Sequence, residues 1–406
     1  MVSTEENIEA QKLRMSPFEF VPKLGFREYW YPGIEAKRVG RKKPVYAKML
    51  GEDLVFFRDK DDKVVALSDW CPHRGARLSL GVSEFKGTIT CPYHGYTFDG
   101  SGRCVAGIID SPDSPVLPAM TTRSYPTEER YGIVFVWMGK TDPVPLDEDL
   151  PGELADPQLT GRRFMRTKVW ESNWTEPMAQ GIDFHEFYLH RQLNFWRLFH
   201  WRLPFFRPRM AYTGGVKVVE EGENYVNAKV AEPLWGQGYH PGVDGKWPRH
   251  AWWRKLPRLS IKAYRGEPWV SYDHNIQLPS IIRTTLGSSV HMRWMVPINE
   301  DESRVWTFTY VRKARTPFGS FYQALWYYLW RKWDIIVFTN ELEDLVVFKK
   351  DRLNFETPQM LGPMDSGLSY FRRRLARRAR DYQRLGLPGQ AAERSPARAD
   401  GSADGT

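Results

Sequence analysis

The sequence predicts an α+β protein with two domains, an antiparallel β domain at its N-terminal end and a mixed domain of strands and helices after it. Short strand-like segments separated by charged breaks fill residues 41–145. A proline-rich stretch between residues 142 and 157 then interrupts this pattern and marks the boundary. Beyond the boundary, strand-like pairs and a long helical segment together indicate a mixed domain.

The first domain is expected over residues 41–145, after a leader over residues 1–40 whose first 25 residues could pack as a helix. β-Branched and aromatic residues dominate its strand-like segments, and charged residues such as those at 59–62 separate them. The predicted strands are Val45–Met49, Asp53–Phe57, Lys63–Leu67 and Ile133–Trp137. This spacing is typical of a small antiparallel β domain.

The second domain is expected over residues 146–385, followed by a disordered tail over 386–406 that is nearly free of apolar residues. Two of its predicted strands flank Glu221-Gly222-Glu223 and should form a hairpin. Neither Pro nor Gly occurs between residues 320 and 352, which predicts one long helix or two joined helices there. The predicted strands are Val216–Glu220, Tyr225–Val230, Arg293–Pro297 and Val305–Val311.

Cysteine content and the N-terminal sequence favour a reducing, cytoplasmic location. Three cysteines among 406 residues are too few for a disulfide framework, and the first residues are polar and acidic, unlike a secretory signal. The apolar stretch Thr316–Trp330 contains polar residues and is shorter than a membrane span. Its Trp and Tyr residues would suit a membrane surface, but we favour a buried helix.

The net charge of +9 arises partly from arginines clustered between residues 372 and 380. Such a cluster is either a solvated helix face, which we favour, or a surface that meets an acidic partner. If it meets a partner, an acidic electron-donor protein is the candidate that we prefer. No nucleic-acid partner is expected.

Two similar short segments carry the first candidate site. Cys71-Pro72-His73-Arg74-Gly75 is followed, after a gap, by Cys91-Pro92-Tyr93-His94-Gly95. Pro and Gly are residue types of tight loops, so each segment can present one thiol and one imidazole. Two thiolates and two neutral imidazoles suit a [2Fe–2S] cluster in which Cys71 and Cys91 bind one iron and His73 and His94 bind the other.

A Cys2His2 zinc site is the alternative for these four residues. Zinc motifs usually place two cysteines on one short loop and two histidines on another. Here each loop carries one Cys and one His, and residues 74–90 separate the two pairs, so we favour the two-iron cluster.

These segments resemble the Rieske domain of the aromatic-ring-hydroxylating Rieske non-haem iron oxygenases. The runs CPHRGARLSLG and CPYHGYTFDGSGRC match the ligand positions of that family at Cys71, His73, Cys91 and His94. Respiratory Rieske proteins add a disulfide beside the cluster, which the one remaining cysteine, Cys104, cannot form. The resemblance therefore favours the oxygenase or ferredoxin type.

A second candidate site lies in the run NWTEPMAQGIDFHEFYLH, which starts at residue 173. It contains His185 and His190, and two imidazoles with one carboxylate form the facial triad of non-haem ferrous oxygenases. The run resembles the catalytic motif of the same family, in which Asn-Trp precedes an Asp and two His ligands. By this resemblance Asp183 is not a ligand; it hydrogen-bonds a ligand His and a cluster His of the neighbouring subunit.

The spacing in this run departs from the family pattern. Asp183 lies two residues before His185, where the family usually has three, so Glu186 occupies the expected position of the first ligand. Glu186 and His190 would share a helix face at i, i+4 and form a rival pair. His185 and His190 are about 140° apart on an ideal helix, so they converge only if the helix is distorted. We favour His185 and His190 because iron prefers imidazole.

The third iron ligand is expected far along the chain. In the family it is a carboxylate of a late helix, often the Asp of a Glu-Asp pair, and Asp344 matches this description. Glu341, Glu343 and Asp334 remain alternatives. The other histidines (His200, His240, His250, His274 and His291) have no metal-ligand spacing, and we expect them to be structural or exposed.

The resemblance covers about residues 26–355 and implies a terminal oxygenase that contains a [2Fe–2S] cluster and mononuclear Fe(II). It further implies a helix-grip (START-like) catalytic domain, homotrimers, O2 as a substrate and electrons from NAD(P)H through a reductase or ferredoxin. The runs LGFREYWYPG and HEFYLH are similar to the carbazole and steroid monooxygenase branches, which implies a bulky apolar ring substrate. A Rieske electron carrier or redox sensor without oxygenase activity, and a zinc-binding interaction module, are the alternative functions.

Overall fold

The protein is described from a computed structural model. The structure describes residues 21–156, 163–180, 210–212, 216–230, 233–235, 273–286, 289–311, 316–326, 371 and 375–381. Within these ranges the chain is rich in antiparallel strands and contains few helices, consistent with the α+β class.

Three small sheets make up the N-terminal part of the chain. Strand β1 pairs with β10 and β10 with β9; a second sheet has the order β2-β3-β4-β8, and β5, β6 and β7 form the third. Every pairing is antiparallel, as the sequence predicts. The strands are β1 Trp30–Glu35, β2 Val45–Met49, β3 Glu52–Arg58, β4 Val64–Ser68, β5 Thr88–Thr90, β6 Tyr96–Asp99, β7 Cys104–Gly107, β8 Ser124–Tyr125, β9 Thr127–Arg130 and β10 Ile133–Trp137.

A seven-stranded antiparallel sheet dominates the second part of the chain, in the order β11-β19-β18-β17-β16-β14-β13. The predicted hairpin is confirmed, because β13 and β14 pair across Gly222. The strands are β11 Arg163–Trp170, β12 Met210–Tyr212, β13 Val216–Glu221, β14 Tyr225–Val230, β15 Pro233–Trp235, β16 Asp273–Gln277, β17 Ile281–Leu286, β18 Ser289–Pro297 and β19 Ser303–Val311; β12 and β15 form a separate pair.

Two α-helices lie within the described ranges, α1 Thr175–Gln180 and α2 Pro317–Trp326. Helix α2 is the start of the long predicted helix, whose remainder lies outside the described residues. Phe318, Phe321 and Leu325 follow one another at helical spacing and are exposed, so the expectation that this helix is buried is wrong for these side chains. They form one face of α2 that points away from the core. In the described part of the chain, no helix is long and apolar enough to cross a membrane.

One hydrophobic core joins the small sheets to the large sheet. Aromatic side chains of both parts meet in it: the ring centroids of Phe135 and Trp294 are 5.8 Å apart, and those of Phe26 and Trp174 are 5.7 Å apart. All four of these side chains are fully buried. Burying an aromatic ring of this size stabilises the fold by about 2–3 kcal/mol, so contacts of this kind fix the two parts against each other.

The C-terminal segment at 371 and 375–381 closes over this junction, and we call it the C-terminal strap. Its side chains Phe371, Leu375 and Ala379 are buried in the shared core. Arg380 Nη1 donates a hydrogen bond of 3.0 Å to Asp149 Oδ2, and its guanidinium lies 4.5 Å from the ring centroid of Tyr29. Arg380 therefore belongs to a buried ion pair, whereas the sequence had placed it in a solvated basic face.

Candidate iron–sulfur site

Two loops with the same hydrogen-bonding pattern form the candidate site. In the first loop the backbone N–H of Cys71 donates to the carbonyl of Ala76 at 2.8 Å, and that of Gly75 donates back to Cys71 at 2.8 Å. In the second loop the N–H of Cys91 donates to Tyr96 at 2.8 Å, and that of Gly95 donates back to Cys91 at 3.1 Å. The first loop follows β4, and the second connects β5 to β6.

A glycine with a positive φ angle allows each loop to turn. Gly75 has φ of +69° and Gly95 has φ of +71°, in the left-handed region that other residues enter only at a cost. The local sequence therefore explains why the two loops have the same conformation: each begins with a cysteine and has a glycine four residues later.

Each loop points its thiol inward and its imidazole outward. Cys71 and Cys91 are each only 2% exposed and pack in a small core with Leu78, Ile89 and Phe98. His73 is exposed and His94 is half-buried. Their Nδ1 atoms are 3.2 Å apart, and their ring centroids are 4.6 Å apart with the planes at 77°. The four side chains thus form a buried sulfur pair and an outer nitrogen pair.

The electrostatics of both pairs favour metal binding only after deprotonation of the thiols. Burial, with Cys91 as a neighbour, raises the pKa of Cys71 to about 11, so iron binding must displace its proton. Desolvation and the neighbouring charge of His73 lower the pKa of His94, which keeps this imidazole neutral and able to act as a ligand at neutral pH.

This arrangement fits a [2Fe–2S] cluster better than a single zinc ion. A structural zinc ion draws four ligands to one point. A sulfur pair and a nitrogen pair that come from the same two loops instead suit two irons with two protein ligands each.

Side chains outside the ligand pattern hold the loops in place, and sequence reasoning missed them. Asp69 is fully buried and accepts hydrogen bonds from the Ser79 backbone N–H at 2.6 Å and from the Ser79 hydroxyl at 2.7 Å. The Arg77 guanidinium lies 3.3 Å from Asp69 and stacks 4.7 Å from the ring of Trp70. Asp69 lies two residues before the predicted ligand Cys71. An acidic residue at this position was the sequence signal that could have identified it.

Aromatic rings flank both histidines. The ring centroid of Tyr96 is 5.0 Å from that of His73, and the ring centroid of Tyr93 is 3.8 Å from that of His94. Cys104 lies beside this core and forms no disulfide; its thiol is 3.4 Å from the carbonyl oxygen of Ala106. Its position agrees with its exclusion from the predicted ligand set.

The residues predicted for the second iron site lie outside the described residues. These are Asp183, His185, Glu186, His190, Asp334, Glu341, Glu343 and Asp344. The Asn-Trp pair that precedes them is described. Asn173 Oδ1 accepts the backbone N–H of Thr175 at 3.0 Å at the start of α1, and Trp174 is fully buried and donates its indole N–H to Pro22 at 3.0 Å. This pair anchors the start of α1, which ends at Gln180.

Of the remaining histidines, His291 is buried on β18. Its Nδ1 lies 3.2 Å from the hydroxyl of Thr309 on β19. This contact supports the expectation that His291 has a structural role.

Comparison with known families places both parts of the chain. Residues 29–120 match the Rieske [2Fe-2S] domain, and residues 137–341 match the homotrimeric ring hydroxylase family. The fold and the candidate site therefore define an iron–sulfur protein joined to a hydroxylase domain.

Relatives of the chain are oxygenase components. It is 30% identical over 284 residues to the terminal oxygenase component of carbazole 1,9a-dioxygenase from Metapseudomonas resinovorans, an alignment that covers 69% of this chain and 71% of that protein. It is 33% identical over 169 residues to the oxygenase subunit of a tert-butanol monooxygenase from Aquincola tertiaricarbonis, covering 41% and 35% of the two chains. The chain belongs to the Rieske-type ring-hydroxylating oxygenases, and it is an enzyme of the terminal oxygenase class.

Solved structures support the same fold. The terminal oxygenase of carbazole 1,9a-dioxygenase from Novosphingobium sp. KA1 superimposes with a TM-score of 0.69 at 21% identity, over 92% of this chain and 98% of that chain. The corresponding oxygenase from Nocardioides aromaticivorans IC177 gives a TM-score of 0.68 at 24% identity, over 90% and 97%. The cofactors of the family are a [2Fe–2S] cluster and a mononuclear iron.

Proposed function

We propose that this enzyme hydroxylates, dihydroxylates or dealkylates a bulky apolar ring compound in the cytoplasm, with O2 and with electrons that originate from NAD(P)H. The observation that carries the proposal is the pair of loops with the same hydrogen-bonding pattern, which brings together two buried thiols and two outer imidazoles. In the sequence, these loops precede the part of the chain that matches the ring hydroxylase family. A reductase or a ferredoxin would deliver the electrons to this pair of loops.

The four loop residues would hold the [2Fe–2S] cluster. Cys71 and Cys91 would bind the inner iron, and His73 and His94 would bind the outer iron. When bound, the cluster supplies single electrons and the mononuclear ferrous iron supplies O2 activation. The chain's own contribution is to exclude water from the thiol side, since both cysteines are buried, and to leave the exposed imidazole of His73 at the surface where electrons can leave or enter.

The mononuclear iron would be held by His185, His190 and Asp344. Glu186 is the alternative to His185, and Glu341 and Glu343 are alternatives to Asp344. Asp183 would act as a positioning residue that orients a ligand imidazole through a hydrogen bond. Asn173, which precedes these residues in the motif, caps α1 with its side chain, and its Nδ2 donates to the carbonyl of Glu300 at 2.7 Å.

The domain boundaries that go with this proposal are a leader over 1–40, a Rieske domain over 41–145, a catalytic domain over 146–385 and a tail over 386–406. Homotrimers are proposed because the matching family is described as homotrimeric. Carbazole is the first ring compound to test, since a relative that covers most of the chain is a carbazole 1,9a-dioxygenase component.

The first experiment measures iron and acid-labile sulfide per chain in anaerobically purified protein, together with a visible spectrum. About three irons and two sulfides are expected for a cluster plus a mononuclear site. About two irons and two sulfides, persisting after reconstitution with ferrous iron, would instead support an electron carrier without oxygenase activity.

The second experiment measures O2 uptake and product formation with carbazole and a generic NADH-dependent reductase. His190→Ala should abolish product formation and leave the cluster spectrum unchanged, whereas the control His274→Ala should keep both. Loss of the cluster in His190→Ala would overturn the two-site assignment.

A further inference from the structure

A recess lies where the N-terminal sheets meet the large sheet, and none of the four predicted cluster ligands lines it. Its empty volume is about 340 Å³, including space that is open to solvent. Glu35 and Arg38 line it from the chain around β1, Tyr46 lines it from β2, and Arg304 and Trp306 line it from β19.

Two arginines in this recess have no acidic partner among the described residues. Arg38 is exposed and forms neither an ion pair nor a hydrogen bond there, and the guanidinium of Arg304 makes a single long hydrogen bond of 3.5 Å to the carbonyl of Lys48. Burial and the neighbouring charge of Arg38 lower the pKa of Arg304. A half-buried guanidinium next to a second cation is unfavourable unless an anion compensates it.

The remaining charges of the recess do not compensate these arginines. Among the described residues Glu35 is the only carboxylate that lines the recess, and it is already paired with Lys37, whose Nζ is 2.6 Å away. The wall also contains Trp306, whose buried indole N–H has no acceptor among the described residues. Donors and positive charge thus exceed acceptors and negative charge around one concave volume.

We propose that this recess binds a free inorganic oxyanion such as phosphate between Arg38 and Arg304. Guanidinium groups match the geometry of phosphate and carboxylate oxygens and bind them with charge-assisted hydrogen bonds. The bound anion would link the 3-10 turn that ends at Arg38 to β19, and so would join the two parts of the chain.

The test uses the intact, cluster-loaded protein with inorganic phosphate and acetate as probes, each compared with chloride at equal ionic strength. Calorimetric titration and the unfolding midpoint are the readouts, and oxygenase activity is not needed, so failure of the proposed function does not affect this test. The wild-type protein should bind phosphate saturably, with one site per chain and a concentration-dependent rise of the unfolding midpoint.

Three variants separate a site from the general stabilising effect of phosphate, which acts on any protein surface. Arg38→Gln removes an exposed side chain and should weaken phosphate binding about tenfold, the loss typical for one charge-assisted hydrogen bond. Arg41→Gln is the matched control, since Arg41 is exposed and already paired with Asp62. Arg304→Gln should also weaken binding, while its unfolding midpoint without phosphate should not fall, because an unpaired charge is removed.

The two probes report the selectivity of the site. Binding of phosphate but not acetate supports a site for a dianion, and equal binding of both supports a site for oxyanions in general. Identical responses of wild type and Arg38→Gln, or no difference between phosphate and chloride, would overturn the proposal. If Arg304→Gln fails to fold, phosphate binding by Arg38→Gln still tests the proposal, because Arg38 is exposed.

Discussion

The Nδ1 atoms of His73 and His94 lie 3.2 Å apart although 20 residues separate the two side chains in sequence. The contact arises because the two loops that carry them turn in the same way and lie side by side. Their cysteines meet on the buried side in the same manner. The candidate site is therefore divided by depth, with sulfur ligands inside and nitrogen ligands at the surface.

Replacement of single cysteines should separate ligands from bystanders. Cys71→Ser or Cys91→Ser should abolish the cluster, because a hydroxyl is a much poorer ligand for iron than a thiolate. Cys104→Ser should retain it, since Cys104 lies in the same core but outside the ligand set. Iron, sulfide and the visible spectrum of anaerobically purified variants provide the measurement. Equal loss in all three variants would indicate unfolding rather than ligand removal.

The two loop glycines form a matched pair for a test of packing. Gly75→Ala and Gly95→Ala both place a Cβ at a positive φ angle, which costs about 1–2 kcal/mol. A Cβ at residue 75 meets nothing within 4 Å, whereas one at residue 95 would come within 2.7 Å of the Cβ of Ile108. Gly95→Ala should therefore lower the unfolding midpoint more than Gly75→Ala and should lose more cluster. The reverse order would contradict this geometry.

The buried Asp149 should give the stability of the protein a pH dependence. Burial, opposed by Arg380, raises the pKa of Asp149 from 3.8 to about 6. Between these pH values the folded protein binds more protons than the unfolded chain, so this group's contribution to the unfolding free energy falls as the pH rises, by at most about 3 kcal/mol. In Asp149→Asn this contribution is absent. The stability of the variant relative to wild type should increase between about pH 4 and pH 7 in urea unfolding; parallel curves would contradict the assignment.

Arg380 and Asp149 should also be coupled. Arg380→Gln leaves a buried carboxylate without its cation and should cost about 3 kcal/mol, whereas in the Asp149→Asn background the same change should cost less than about 1 kcal/mol. Arg103→Gln removes an exposed ion pair with Asp99 and should change stability by no more than about 0.5 kcal/mol. Urea unfolding of the four proteins of this cycle measures the coupling. Additive costs would show that the pair contributes no specific interaction.

Local patterns predicted the strands and the cluster loops well. The predicted bounds of β2, β10 and β14 agree with the structure, and those of β3 and β4 differ by one residue at each end. The alternation of side chains and the Pro-Gly chemistry of the loops are local properties, so the sequence carries them directly. The second iron site remains a prediction, because its residues lie outside the described ranges.

Three features could not be predicted because they depend on distant partners or on an irregular strand. Strand β1 lies inside the range assigned to the leader and contains Pro32 and Gly33, which are unfavourable in strands; the pairing with β10 accommodates them at a register shift between Pro32 and Ile34. The recess brings together Arg38 and Arg304, which are far apart in sequence. The C-terminal strap likewise brings Arg380 to Asp149. Local periodicity carries no information on such contacts.

The C-terminal strap has a consequence for biosynthesis. The backbone N–H groups of Arg27 and Glu28 donate to the carboxylate of Asp381 at 2.6 and 2.9 Å, and the Arg380 guanidinium donates to the carbonyl of Glu28 at 3.1 Å. These partners emerge from the ribosome more than 350 residues after the segment that they complete. Although N-terminal domains generally fold first during translation, the β1 edge of this domain stays unfinished until nearly the whole chain has been made.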